Sequence, residues 1–407
     1  MKFGTLADVE NRGKVVLVRV DLNSPIDPST STILNDKRFR EHVPTIRALE
    51  EAKVVVLAHQ SRPGKKDFTT LEAHADHFER LLGTPVTYVD DIFGHCAKEA
   101  IHKSHPGDVL LLENVRFNAE ENLTMKPEDA RDTHLVRKLA SMADLFVNDA
   151  FGTAHRSQPT ITGLPFAMRT VAGLLMEKEV KNLSRVFTSA PKPVTFVLGG
   201  TKIDDSIAVA GHVLSNETAD NVAIIGVVAN VFYRAKDIDI GAPSANLINA
   251  LGYEGEIAKA KAILDAYGDK VILPEYVAVK ENDERREYAV GAMPANCPIL
   301  DIGTESIGEF SKLLHESGTV VFNGPAGLFE ERDFATGTYE LLHAAAKAEF
   351  SVCGGGHTTA AIEQLGLEPR YSHLSTGGGA CIEFLTGKKL PALGALERSW
   401  GLFGNRI

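Results

Sequence analysis

Cysteine is scarce, and nothing pairs it: Cys96, Cys297, Cys353 and Cys381 are the only four, and none stands in a CxxC spacing. Scattered thiols of this kind suit a reducing compartment rather than a disulfide framework. Long apolar runs are missing as well. The opening MKFGTLADVENRGK has no apolar core of the length a secretion signal needs, and no later run approaches a membrane span. A cytoplasmic protein with no membrane partner is the expectation. Positive charge is in deficit, 43 Lys and Arg against 54 Asp and Glu, for a formal net charge of −11. Such a chain repels polyanions, which disfavours nonspecific nucleic-acid binding, while local basic clusters can still hold small anions. No short-period repeat, coiled coil or low-complexity linker interrupts the sequence.

With 44% hydrophobic and 24% charged residues, the composition is that of a folded globular chain. A length of 407 residues exceeds one ordinary core and calls for about two to three domains. Short β-branched runs alternate with helical patterns throughout. In the first half the runs are Lys14 to Val20, Lys53 to Ala58, Val86 to Val89, Asp108 to Leu112 and Asp144 to Val147, with helices expected near Pro44 to Ala52, Phe68 to Leu82 and Pro127 to Met142. In the second half they are Val194 to Leu198, Val222 to Val228, Val271 to Leu273, Thr319 to Phe322, Phe350 to Cys353 and Tyr371 to Leu374. Helices are expected there near Asp204 to Leu214, Glu256 to Tyr267, Ser306 to His315, Ala335 to Ala348 and Thr358 to Leu365. Continuous apolar strands alternating with helices imply parallel sheets covered on both faces, hence two doubly wound α/β domains. Ligands in such sheets sit beyond the carboxyl ends of the strands.

Those ends differ between the halves. In the first half they carry Arg19-Val-Asp21-Leu-Asn23, then Arg38, His59-Gln60-Ser61-Arg62, Glu113-Asn-Val-Arg116 and Asn148 to Arg156. Arg19, Arg38, Arg62, Arg116 and Arg156 on one sheet edge would repel one another unless an anion joined them, and the guanidinium fork matches carboxylate and phosphate. Asp21 and Asn23 could orient hydroxyls of such a ligand, and His59 or His155 could serve as a base or a hydrogen-bond partner. In the second half the ends carry glycine: Gly199-Gly-Thr-Lys202, Asn323-Gly-Pro-Ala-Gly327, Gly354-Gly-Gly-His-Thr-Thr359 and Thr376-Gly-Gly-Gly379. Glycine turns let backbone N–H groups approach phosphate at a helix start, which points to a nucleotide polyphosphate. Neither GxxxxGK[ST] nor GxGxxG is present, so the commonest nucleotide fingerprints are excluded. Lys202 could follow a phosphoryl group, and Glu330 could accept ribose hydroxyls. His74 with His77, and His102 with His105, fit solvated helix faces better than metal sites, and Cys353 reads as a buried strand residue.

Between the halves, Gly173 to Phe187 places Met176, Val180, Leu183 and Phe187 on one helical stripe, with Glu177 four residues before Lys181. Pro191 and Pro193 follow and end it. A connecting helix is expected here.

In this order the motifs resemble phosphoglycerate kinase, over essentially the whole chain. RVDLN, HQSRP, LLENVRF and NDAFGTAHR are similar to that family's substrate-domain motifs, LLMEKE to its interdomain helix, and LGGTK, FNGPAGLFE, GGGHTTAAI and STGGGA to its nucleotide-domain motifs. The resemblance implies two Rossmann-like domains: 1–172 for 3-phosphoglycerate, with a tail of about 395–407 packing back on it, and 173–394 for ADP or ATP with magnesium. It implies reversible phosphoryl transfer from 1,3-bisphosphoglycerate to ADP, by a monomer or homodimer. Asp21, Asn23, Arg38, His59, Gln60, Ser61, Arg62, Arg116 and Arg156 would hold the acid, with Arg38 also facing the transferring group. Lys202, Asn323, Glu330, Gly356, His357, Thr358 and Thr359 would hold the nucleotide, and Arg38 and Lys202 would be catalytic. Two residues depart from the family pattern: Ser206 stands for its usual second lysine, and His357 for an aspartate that helps place magnesium, so no protein ligand is assigned to the metal. Both departures suit an archaeal branch of the family. Two other readings are another acyl-phosphate-forming kinase and a non-catalytic two-domain anion-binding protein.

Overall fold

The computed structural model describes residues 2–404. The chain forms two compact units, one made of residues up to Lys181 together with those from Lys389 onward, the other of Asn182–Lys388. Each carries a six-stranded sheet in which every pairing is parallel. Among the described residues, no helix is long and apolar enough to cross a membrane.

In the first unit the strands are β1 (Val15–Arg19), β2 (Lys53–Leu57), β3 (Val86–Val89), β4 (Val109–Leu112), β5 (Leu145–Asn148) and β6 (Thr170–Ala172), in the order β3-β4-β2-β1-β5-β6. Successive side chains of a strand point to opposite faces. Val16, Val18, Val54 and Val56 accordingly join one core, and Leu17, Val55, Leu57 and Leu110 the other. Both faces are covered, which is why these runs read as continuously apolar.

The helices depart more from expectation. The one anticipated near Pro44 to Ala52 runs Lys37–Arg47, with Pro44 inside it. Proline prefers a helix start, but here the chain is already helical before Pro44, and Arg38, His42 and Thr45 share one element. The long helix expected over Pro127 to Met142 is two, Pro127–Arg131 and His134–Ala140, because Thr133 breaks in: its Oγ1 accepts from the Val136 N–H at 3.3 Å and caps the second. Helices His95–Lys103, Gly241–Ala250, Gly379–Leu385 and Pro391–Phe403 add to those expected.

The second unit contains β7 (Val194–Leu198), β8 (Asn221–Ile224), β9 (Val271–Ile272), β10 (Tyr276–Glu281), β11 (Glu284–Ala289), β12 (Ile299–Ile302), β13 (Thr319–Asn323), β14 (Phe350–Gly354) and β15 (His373–Leu374). The parallel sheet has the order β15-β14-β13-β7-β8-β9, and β11-β10-β12 form a small antiparallel sheet. The strand expected over Val222 to Val228 stops at Ile224, and Gly226, at φ +59°, turns the chain into helix Gly226–Ala235. In the β10–β11 hairpin, Asn282 and Asp283 both sit at positive φ, +51° and +63°. This is the twist two-residue hairpins favour.

The connecting helix runs Leu174–Thr188. Met176, Val180 and Leu183 of its stripe are buried, and Phe187 packs on Phe384 and His212 of the second unit. The boundary between the units falls inside this helix, after Lys181. From Lys389 the chain returns to the first unit, where the Ala392 N–H donates to Ala154 O at 3.0 Å and the Thr170 N–H to Ser399 Oγ at 3.0 Å. Residues 405–407 of the expected tail lie outside the described residues.

Candidate active site

Because all six strands of the first sheet run the same way, the loops after β1, β2, β4 and β5 leave from one edge. Asp21, just past β1, is buried; its Oδ1 accepts from the Asn23 N–H at 3.2 Å and its Oδ2 from Arg38 Nη1 at 2.6 Å. Burial alone would raise the Asp21 pKa, but the Arg38 and Arg19 guanidinium groups overcome it and hold the carboxyl well below the usual range. Buried His59 lies with Nδ1 3.2 Å from Arg19 Nη2. A guanidinium only donates, so this nitrogen accepts and the ring's N–H is at Nε2. Burial and Arg19 push the His59 pKa far down, which makes the ring a neutral hydrogen-bond donor and not a base at neutral pH.

Arg116 and Arg156 supply the free positive charge. Arg116 Nη1 donates to the Ser61 carbonyl and its Nη2 to Gln158 Oε1 at 3.5 Å, but buried Nε makes no hydrogen bond, and neither does buried Arg156 Nη1. Burial, then Arg156 and Arg19, lower the Arg116 pKa to about 10. Burial also lowers that of Arg156, against Asp21 and with Arg62 and Arg38. Each guanidinium therefore feels its neighbours, and the carboxylates present do not neutralise them. Arg62 is exposed and Arg38 partly so.

Some nominated side chains are otherwise engaged. Arg19, grouped by sequence with the ligand-facing arginines, is fully buried: Nε donates to Thr160 Oγ1 at 3.0 Å, Nη1 to Val20 O, and Nη2 stands 3.9 Å from Glu121. It is a core ion pair rather than a ligand contact. Gln60 donates to Ser24 O at 3.1 Å, and its Oε1 is 3.1 Å from His74 Nε2. Asn23 Oδ1 accepts from the Ser61 N–H at 2.7 Å, Ser61 Oγ donates to Asp67 at 2.6 Å, and Ser61 itself sits at φ +56°. These bonds fix the loop that presents Arg62.

Sequence reading missed a buried relay behind the site. The Asp21 N–H donates to His42 Nε2 at 2.9 Å; His42 Nδ1 is 2.7 Å from Asp149 Oδ2. Since Nε2 accepts, Nδ1 donates. Asp149 Oδ1 then accepts from the Leu175 and Met176 N–H groups at 2.9 and 3.3 Å, in the first turn of the connecting helix. A carboxylate there meets the helix's unsatisfied N–H groups and its positive end. The one clue in the sequence was His42 four residues after Arg38, on the same helical face.

In the second unit the glycines divide into two kinds. A Cβ on Gly226 would stand 2.6 Å from Pro325 O, one on Gly199 likewise, and one on Gly324 would overlap Gly199 O. The loops after β7, β8 and β13 touch backbone to backbone, so glycine there serves packing. Gly356 faces open space at the start of helix Gly356–Gln364. Beside it lies a cavity of about 280 Å³ lined by Lys202, Asn323, Gly324, Gly355, His357 and Thr358 among others. Asn323 Oδ1 is buried there without a partner, while Thr358 Oγ1 accepts from the Gly324 N–H at 3.0 Å and Thr359 Oγ1 donates back into its own helix. Lys202 is exposed at the N-cap of helix Ile203–Ser215, and Ser206 is wholly buried inside it, offering no cationic replacement for a second lysine.

A second cavity of about 280 Å³ adjoins through Gly200, Thr201 and His357 and is walled by Val227, Tyr233, Val277, Ile299 and Leu300, with exposed Glu330 also lining it. Asp301 belongs to its wall, but Arg285, Gly337 and Ile302 saturate the carboxylate, and burial pushes its pKa up to about 6. Among the described residues, no three His, Cys, Asp or Glu side chains stand together as metal ligands.

Cations gathered at one parallel sheet and glycine-bounded cavities at another belong to an α/β phosphotransferase. The family model for phosphoglycerate kinase matches residues 6–388. The chain is 78% identical over 405 residues to a phosphoglycerate kinase of the methanogen Methanocorpusculum labreanum, covering 100% of both, and 47% identical to that of Methanothermus fervidus, covering 98% of both. The crystal structure of phosphoglycerate kinase from Pyrococcus horikoshii superposes with a TM-score of 0.91 at 40% identity, over 98% of this chain and 100% of that one. The chain belongs to the phosphoglycerate kinase family. Its reaction is the family's: reversible phosphoryl transfer between 1,3-bisphosphoglycerate and ADP, giving 3-phosphoglycerate and ATP, a step of glycolysis. The two other readings of the sequence give way to this one.

Proposed function

We propose that the first unit holds the phosphoglycerate and the second the nucleotide, with Arg38 and Lys202 as the charges that accompany the phosphoryl group. The observation that carries this is the pair of buried, unpartnered guanidinium nitrogens, Arg116 Nε and Arg156 Nη1, beside Arg38 and Arg62. An acid bearing phosphate neutralises that cluster, with Asp21 and the His59 Nε2–H fixing its hydroxyl and carboxylate ends. On the other unit, phosphates lie against the Gly356–Thr359 helix start, near Asn323 and Lys202, and Glu330 accepts from the ribose.

The reacting carboxylate or phosphate oxygen is already ionised, so no general base is required. Catalysis reduces to alignment and to charge stabilisation by Arg38, Lys202 and backbone N–H groups. In-line transfer needs the reacting atoms within a few ångströms, so the units must bring acid and nucleotide together when both are bound. Magnesium would accompany the nucleotide; the donor set at His357 lacks the anionic oxygens magnesium prefers, and the reading assigns it no protein ligand. The setting is the cytoplasm, with small-molecule partners only, and the chain works as a monomer or homodimer.

The test is ATP consumption that depends on 3-phosphoglycerate, repeated in two variants. Arg38→Ala and Lys202→Ala should each lower kcat by roughly 10³-fold or more, with thermal unfolding almost unmoved for exposed Lys202. Near-normal turnover of Lys202→Ala at saturating substrates would remove its catalytic assignment.

A further inference from the structure

We propose that Asn230 reads the base of the bound nucleotide: its carboxamide hydrogen-bonds the polar substituent at C6 of a purine. The inference rests on assigning the nucleotide to the second unit, and it names a residue there that the motifs did not single out. Asn230 lies in helix Gly226–Ala235, one turn beyond Gly226 and one before Tyr233, and all three line the apolar cavity of about 280 Å³. Side chains of a helix lean toward its N-terminus, which here is the end at the glycine loops. Asn230 is 2% exposed, and its Oδ1 is buried with no hydrogen-bond partner.

The other polar groups of the inner wall are taken. The Tyr233 hydroxyl donates to Pro274 O at 2.8 Å, and the Asp301 carboxylate accepts from Arg285, Gly337 and Ile302. What remains is an apolar slot with one deep, unsatisfied carboxamide oxygen, the arrangement that orients a flat heteroaromatic ring. A buried amide without a partner is unfavourable in the empty site, and a base that pairs with it is favoured over one that cannot. Oδ1 accepts from a 6-amino group. Turned over, the carboxamide donates to a 6-oxo group.

The experiment compares kcat/KM for ADP, inosine diphosphate and purine riboside diphosphate, which lacks any C6 substituent. Asn230→Ala should lower kcat/KM about tenfold for the first two and leave the third within about twofold of the unsubstituted enzyme. Asn230→Asp, an acceptor only, should keep ADP and lose inosine diphosphate. Equal losses for all three nucleotides in Asn230→Ala, or no loss for any, overturn the proposal. Val227→Trp, which fills the slot from the same helix, separates the two levels of inference. If Val227→Trp folds and still uses every nucleotide, the nucleotide assignment itself falls, and Asn230 with it. If it uses none while Asn230→Ala loses all three equally, the assignment stands and only the role of Asn230 is overturned.

Discussion

His74 shows how a side chain that attracts attention in a sequence can be pure scaffold. It is fully buried, 3.1 Å from the Gln60 carboxamide, and burial, aided by His77, lowers its pKa to about 4 from the ordinary 6.5. Between those values the unfolded chain binds a proton that the native state refuses, so stability falls as pH drops through the window. The contribution is about 2 kcal/mol at pH 5 relative to neutrality, and His59 acts in the same direction. Urea unfolding of His74→Gln at pH 7 and pH 5 should show a smaller acid loss than the unsubstituted protein, by about that amount. An identical acid loss would mean that His74 is protonated in the native state. Arg19 teaches the complementary lesson. The strand-end rule brings it to the right edge, but only packing reveals that Thr160 and Glu121, distant in sequence, have already claimed it. The sequence could show which residues arrive at an edge, not which of them arrive free.

At the scale of elements, the parallel sheets were legible because their strands are buried on both faces and leave an unbroken apolar run. The β10–β12 sheet was not: β11 reads ERREYA, charged and mostly exposed, and no run of that kind declares a strand. Loop glycines were legible as turns but not by purpose. The crowding at Gly324, where φ is +89° and a side chain meets Gly199, separates packing from ligand approach. Gly324→Ala should destabilise the protein by about 2 kcal/mol or more. Gly356→Ala, helical and facing open space, should leave stability within about 1 kcal/mol while weakening nucleotide binding. Equilibrium unfolding with and without ADP checks both, and equal destabilisation by the two would erase the distinction.

For the whole molecule, the ordered motifs identified the family from end to end, while the connection between site and scaffold had to wait for coordinates. His42 and Asp149 sit far apart in the chain, and no local pattern announces that they meet. Their relay carries a consequence for timing. The backbone amide of Asp21 and those of Leu175 and Met176 are held through two buried side chains, His42 and Asp149. The expectation is that they open as one unit of local unfolding, so that stabilising one member slows the opening of the others. Saturating 3-phosphoglycerate should therefore slow hydrogen–deuterium exchange at Leu175 and Met176 together with Asp21, and His42→Ala should uncouple the helix amides from the ligand. Exchange at Leu175 unmoved by the acid in the unsubstituted protein would break the link. If it holds, the start of this helix keeps a clock that runs slower whenever the acid site is filled.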